Sequence, residues 1–275
     1  IDTALRSSLG FGIDALTGVL NVATQYDATR DAPATVTTPG HFVQECADLA
    51  VGATIDEYRA ALDWLTLRGT DLATDVIPHW EVERRAKRIT TSPFVHTKDG
   101  IWVLPWTAGS TLKILANYLS DGRLPWPDTV VPKEVTQALD RYRQGRNREV
   151  EKDCVEALSD RGLVVRGTVK PEKAHHYGID SLAGEIDALC VDPARSRIWV
   201  IEAKDPYTPY SARQIRRLVN DFLAAGKYVD QLLRKVDDIA ASATSVAAAL
   251  GAGDPDRPWE VRGLMVTRHL EPAAF

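Results

Sequence analysis

Asp187, Glu202 and Lys204 are the residues of this 275-residue chain whose types and spacing could do chemistry together. They lie in one stretch, Gly184 to Lys204, GEIDALCVDPARSRIWVIEAK, which reads as two short strands joined by a turn opened by Asp192-Pro193. Residues two apart on a strand point to the same face. Glu202 and Lys204 therefore share a face with Ile198 and Val200 on an otherwise apolar strand. Charge at the end of a buried strand is costly unless it is paired or binds a metal. Fourteen residues separate Asp187 from Glu202, so the hairpin can bring the two carboxylates together. Two carboxylates make a hard oxygen site suited to magnesium. A lysine beside them can orient a water or balance charge on a phosphoryl oxygen.

Asp187 followed by Glu202-Ala203-Lys204 resembles the signature of the PD-(D/E)xK nuclease superfamily, with Ile186 where the family carries its leading proline. The resemblance covers the C-terminal half of the chain. It implies a restriction-endonuclease-like αβββαβ core and hydrolysis of phosphodiester bonds, in DNA before other nucleic acids. Asp187, Glu202, Lys204 and Glu151 would be the catalytic residues. Magnesium, with manganese able to substitute, would be held by Glu151, Asp187, Glu202 and the backbone carbonyl of Ala203. Family members often carry a polar residue on the helix after the E-x-K strand, and Gln231 takes that place.

The elements that must position these residues are legible from Lys133 onward as αβββαβ. A helix is expected over roughly 147–161, closed by Gly162 as a C-cap. Strands follow at Leu163 to Val169, around Asp187 and around Glu202. A long helical region starts near Ser211, its Ala-rich end at 239–250 reading as a packing helix, and a last strand spans Glu260 to Thr267. On the first helix, at about 100° per residue, Val150, Cys154, Leu158 and Val155 share one arc. Glu151 falls inside that arc, whereas Glu149, Asp153, Glu156 and Asp160 fall outside it. One carboxylate of five thus faces the core.

Around the site, Arg213, Arg216 and Arg217 form a basic face on the helix that follows and are candidates to bind substrate phosphates. Tyr207 and Tyr210 could stack on bases. His175 and His176 stand in a polar loop that reads as solvated. Arg141, Arg143, Arg146 and Arg148, with Lys152, make a second basic run leading into Glu151.

Residues 1–135 read as a mainly helical accessory domain, distinct from a nuclease-like domain at 140–275. Phe11 to Ala23 is apolar, and a loop follows it. Thr38-Pro39 opens a helix, and Thr54 with Glu57 forms a capping box for another. A further helix is expected over Trp80 to Lys87. Asp99-Gly100 marks a hairpin within 88–106, which gives the domain a winged-helix-like outline. Helical character returns over 111–119, and the proline-rich stretch 121–134 reads as a linker or an ordered crossing loop. Taken together the fold class is α/β in the broad sense, more strictly α+β.

The net charge of −5 excludes a strongly basic nucleic-acid binder, so any phosphate contact must come from local patches. No apolar run is long enough to span a membrane. Three cysteines, an odd number and none at metal-ligand spacing, suit the cytoplasm; Cys154 and Cys190 fall in apolar runs and read as buried thiols. The chain begins with Ile1 and reads as part of a longer protein, with the remainder or other subunits as partners. There is no Walker A loop, zinc cluster or Gly-x-Ser-x-Gly elbow. Two other functions fit the same pattern: a catalytically inactive module of nuclease fold that binds nucleic acid or a protein partner, and an N-terminal domain that reads DNA or a partner while residues 140–275 cut.

Overall fold

The computed structural model describes residues 1–26, 33–72, 87–252 and 257–269. The helix expected at Trp80 to Lys87 lies almost wholly outside the described residues. The chain is α+β and divides into two compact units, Ile1–Arg143 and Gln144–Phe275.

The first unit opens with α1 (Asp2–Leu9) and α2 (Ile13–Thr24). The sequence pattern had not revealed α1, which is short and polar. Its start is tied to the next helix, because the Asp2 carboxylate accepts from the Ile13 amide at 2.6 Å. In α2, apolar on nearly every side, Ala15, Leu16, Val19, Leu20, Val22 and Ala23 are all buried, as expected for a central helix. Then come β1 (Thr35–Thr37), α3 (Pro39–Leu49), α4 (Ile55–Trp64), β2 (Thr66–Leu67), α5 (Gly69–Leu72), β3 (Phe94–Thr97), β4 (Gly100–Val103) and α6 (Pro105–Ser120). The capping box at α4 is formed as read: Thr54 Oγ1 accepts from the Glu57 amide, and Glu57 accepts from the Thr54 amide at 2.8 Å. Thr54→Ala is expected to lower stability by about 1 kcal/mol, measured as a shift in the denaturant midpoint of the first unit.

The hairpin at 88–106 is narrower than expected. It belongs to a four-stranded mixed sheet of order β1-β4-β3-β2, with β2 parallel to β3. Of the two readings of the stretch at 121–132, the ordered crossing loop holds and the linker does not. Leu124, Trp126 and Val131 are buried in the core of this unit, and the Trp126 ring meets Trp64 edge-on at 5.6 Å. The helix after it, α7 (Lys133–Ser159), starts fourteen residues before the expected 147 and carries Val135 and Leu139 into the same core.

The second unit holds the last part of α7, then β5 (Val164–Val169), a 3₁₀ turn (Pro171–Tyr177), β6 (Ile186–Asp192), β7 (Arg197–Lys204), α8 (Ala212–Leu223), α9 (Tyr228–Ala241), α10 (Ala243–Ala249) and β8 (Glu260–Thr267). The long helical region expected from Ser211 is thus broken twice. The first break opens at Ala224, which is extended with a ψ of 153°, and turns through Gly226, whose φ of 74° suits glycine. The strands form one sheet of order β5-β6-β7-β8, antiparallel except for the β7–β8 pair.

Strand alternation sorts the sheet's residues between two cores. Ala188, Cys190 and Ile201 pack with Cys154, Val155 and Leu158 of α7. Leu189, Val191, Ile198 and Val200 pack with Leu232 and Ile239 of α9 and Val246 of α10. The apolar arc of α7 is therefore its sheet-facing side. Cys46 and Cys190 are fully buried, and burial pushes their thiols up to about 12 and about 11. Cys154, expected to be buried, is only partly so. Among the described residues no helix is long and apolar enough to cross a membrane.

Candidate active site

The sheet opens where the three chemistry-bearing residues stand. The last β6–β7 pair is Ala188 with Ile201, although β7 stays paired to β8 as far as Lys204 with Thr267. Where the β6 backbone leaves, the Asp187 side chain takes its place: Oδ2 accepts from the Ala203 amide at 2.8 Å. On the other side of β6, the β5 ladder omits the pair that Thr168 would make with Asp187, and Thr168 has a φ of 46°. A non-glycine residue in that region costs about 1 kcal/mol or more, so the backbone on both sides of Asp187 departs from regular sheet.

Glu202 faces the α9 side, on the same face as Ile198 and Val200, and is 6% exposed. Its two oxygens each meet a lysine. Oε2 accepts from Lys204 Nζ at 3.0 Å, and Oε1 accepts from Lys235 Nζ. Lys204 Nζ also lies 3.4 Å from Asp187 Oδ2 and 5.7 Å from the centre of the Tyr228 ring, which in turn meets Phe222 edge-on. Burial works to lower the Lys204 pKa, but the Asp187 and Glu202 carboxylates outweigh it and hold the pKa above the ordinary lysine value. Glu151, partly buried on α7, makes no hydrogen bond or ion pair among the described residues. Burial first, and the Asp187 charge second, raise its pKa.

These groups line one polar cavity of about 580 Å³, whose walls include Glu151, Glu185, Asp187, Glu202, Lys204 and, from α9, Gln231, Arg234 and Lys235. Glu151, Asp187, Glu202, Lys204 and Gln231 are thus brought together, as the sequence reading expected of them. The remaining candidates are not in the cavity wall. Tyr207 is half-buried beyond the end of β7, and Tyr210 is exposed. Arg213, Arg216 and Arg217 are exposed on α8, on the face opposite its buried Gln214, Leu218 and Phe222. His175 and His176 lie on the 3₁₀ turn, exposed, with rings 4.1 Å apart.

Lys235, Arg234 and Glu185 were missed by the sequence reading. For Lys235 a signal existed. It lies three residues after Leu232 and four before Ile239, both of which are buried, so it occupies a core position of an amphipathic helix. A lysine there needs a buried partner. It also lies four residues after Gln231, on the same side of α9.

Among the described residues, no group of three or more His, Cys, Asp or Glu side chains stands ready to hold a metal ion. The oxygen donors present are nonetheless of the hard kind magnesium prefers. Among the described residues Asp187 makes both of its bonds through Oδ2, leaving Oδ1 available. The Glu151 carboxylate is unpaired among the described residues. The Ala203 carbonyl lies on the same edge of β7 as its amide, the edge that β6 has left. Glu202 can join these donors to the extent that its lysines release it. Comparisons with protein-family models, with curated proteins and with solved structures find no match.

Proposed function

We propose that the second unit is a metal-dependent nuclease that hydrolyses phosphodiester bonds, in DNA first. One observation carries this reading: Asp187, Glu202 and Lys204 converge at an opened sheet end, in a polar cavity that also admits Glu151. Magnesium or manganese held by Asp187, Glu151 and the Ala203 carbonyl, with Glu202, would supply a water of lowered pKa and a Lewis acid for the scissile phosphate. Lys204 then orients the attacking water and balances charge as it builds on the phosphoryl oxygens. Gln231 and Arg234, on the α9 wall, are placed to contact the scissile group. Arg213, Arg216 and Arg217 track the phosphates of a longer substrate, and Tyr207 stacks on a base. Three free cysteines, two of them deeply buried, suit a reducing compartment such as the cytoplasm.

The test is incubation of the chain with plasmid, linear DNA and RNA, with and without magnesium or manganese. Cleavage of DNA only when metal is present is the expected result. No cleavage of any substrate with either metal overturns the reading. Arg213→Ala is expected to weaken DNA binding and to reduce the slope of log affinity against log salt by about 1, with little change in the single-turnover rate at saturation.

A second reading, a module of the same fold that binds nucleic acid or a protein partner without cutting, is favoured by one observation. Both oxygens of Glu202 are already held by lysines. DNA retained in a gel-shift assay and left uncut with either metal would select it.

A further inference from the structure

Lys235 is a buried ammonium built into the site by the packing around it. It is 7% exposed, and its Nζ donates to Glu202 Oε1 and to the Glu185 carbonyl. Two glycines make room for it. A Cβ at Gly263 would lie 3.0 Å from Leu232 Cγ, so β8 lets α9 approach closely. A Cβ at Gly184 would lie 3.3 Å from Lys235 Cε, so the loop ahead of β6 leaves space for the lysine stem. One turn further on, Asp238 accepts from the Ala183 amide at 2.6 Å, which fastens the same loop to α9. A lysine buried in this way is costly unless its charge is matched, and Glu202 matches it.

Two-metal phosphodiester hydrolysis sets ions about 3.5–4 Å apart across shared carboxylates. Here the Oε1 side of Glu202 is neutralised by a cation that is part of the chain. We propose that Lys235 stands in the place of a second metal ion, so that the site takes one divalent cation, on the Asp187 side, and holds it more weakly than it would without this lysine. The inference rests on the metal-dependent reading above. Two fixed ammonium groups on Glu202 repel an incoming dication, and in a partly buried site that repulsion is only modestly screened. In return, Lys235 offers fixed positive charge to the scissile phosphate at no cost in reorganisation.

The experiment is calorimetric titration of Mn²⁺ into the full chain and into Lys235→Met, with melting temperatures recorded in chelator and in Mn²⁺. The wild-type chain is expected to bind one ion. Lys235→Met is expected to bind Mn²⁺ at least about tenfold more tightly, or to take up a second ion. It should melt lower than wild type in chelator and gain more on adding metal. Lys235→Arg, which keeps the charge, should show no such gain. Two ions bound by the wild-type chain would overturn the proposal without recourse to any variant. So would a folded Lys235→Met with unchanged or weaker affinity and the same stoichiometry. DNA cleavage by the wild type alongside either result would confine the failure to Lys235. No Mn²⁺ bound and no cleavage by either chain would overturn the metal-dependent reading, and this inference with it.

Discussion

Lys204→Ala is expected to lose about 100- to 1,000-fold in the single-turnover rate of DNA cleavage while keeping its metal. The carboxylates of Asp187 and Glu202 raise the Lys204 pKa against the opposing effect of burial. The sign for such a group is fixed: its ion pairing contributes fully below the unfolded-state pKa and is lost as pH rises through the folded one. Lys204 is therefore charged throughout the neutral range, and no mild change of pH imitates the substitution. Removing it takes away the ammonium 3.0 Å from Glu202 Oε2 and 3.4 Å from Asp187 Oδ2, leaving the cavity more anionic. Metal affinity should hold or rise while the rate falls. Asp187→Ala should behave differently. It deletes an oxygen donor and also leaves the Ala203 amide without its 2.8 Å acceptor, so activity falls and excess metal restores part of it. Single-turnover cleavage with metal titration on both variants separates the two losses. Full activity in Lys204→Ala would defeat the catalytic role and favour the binding module.

The parts of this architecture that the sequence revealed are those with strong local periodicity. The Glu260–Thr267 strand alternates and was read with its observed bounds. The arc of α7 singled out Glu151 because Glu149, Asp153 and Glu156 on the helix, and Asp160 just past it, lie outside it. The strands at Thr35–Thr37 and Thr66–Leu67 were not legible: three and two residues carry no period, and pairing with β4 and β3 is what makes them strands. The early start of α7 was hidden by its charged residues, although Val135, Ala138 and Leu139 have helical spacing and are buried. In the site, the two residues of the E-x-K pair were legible because two-residue spacing fixes a common face. For Lys235 only its core position on an amphipathic helix was legible; its partner was not, because Glu202 is 33 residues away in sequence. In the sequence Arg146 is one member of a basic run leading into Glu151, yet its side chain is only 12% exposed. Its environment is made by a residue on a different element, which no local pattern announces.

That residue is Asp205, and Asp205→Asn is expected to destabilise the second unit by about 3 kcal/mol. The Asp205 side chain is 2% exposed and follows Lys204 directly. Arg146 grips it with both arms of its guanidinium, Nε to Oδ2 at 2.9 Å and the NH2 nitrogen to Oδ1 at 3.0 Å. Arg268, just past β8, adds a longer contact to Oδ1 at 3.5 Å and another to the Arg146 carbonyl at 3.4 Å. One carboxylate thus ties the ends of β7 and β8 to α7, five residues before Glu151. An amide in its place takes the bidentate carboxylate from Arg146, whose side chain is almost fully buried, while Arg268 keeps only its longer ion pair to Glu149 at 3.6 Å. Removing one partner of a buried pair is what makes the loss large; removing both is far cheaper. The double variant Arg146→Met with Asp205→Leu should therefore recover most of the loss, and urea unfolding of the two single variants and the double gives the coupling directly. A loss under about 1 kcal/mol in Asp205→Asn would mean that the pair is no stronger than a surface ion pair. With the full loss, Glu151 is expected to shift with its helix, and the affinity for Mn²⁺ should fall in Asp205→Asn and return in part in the double variant.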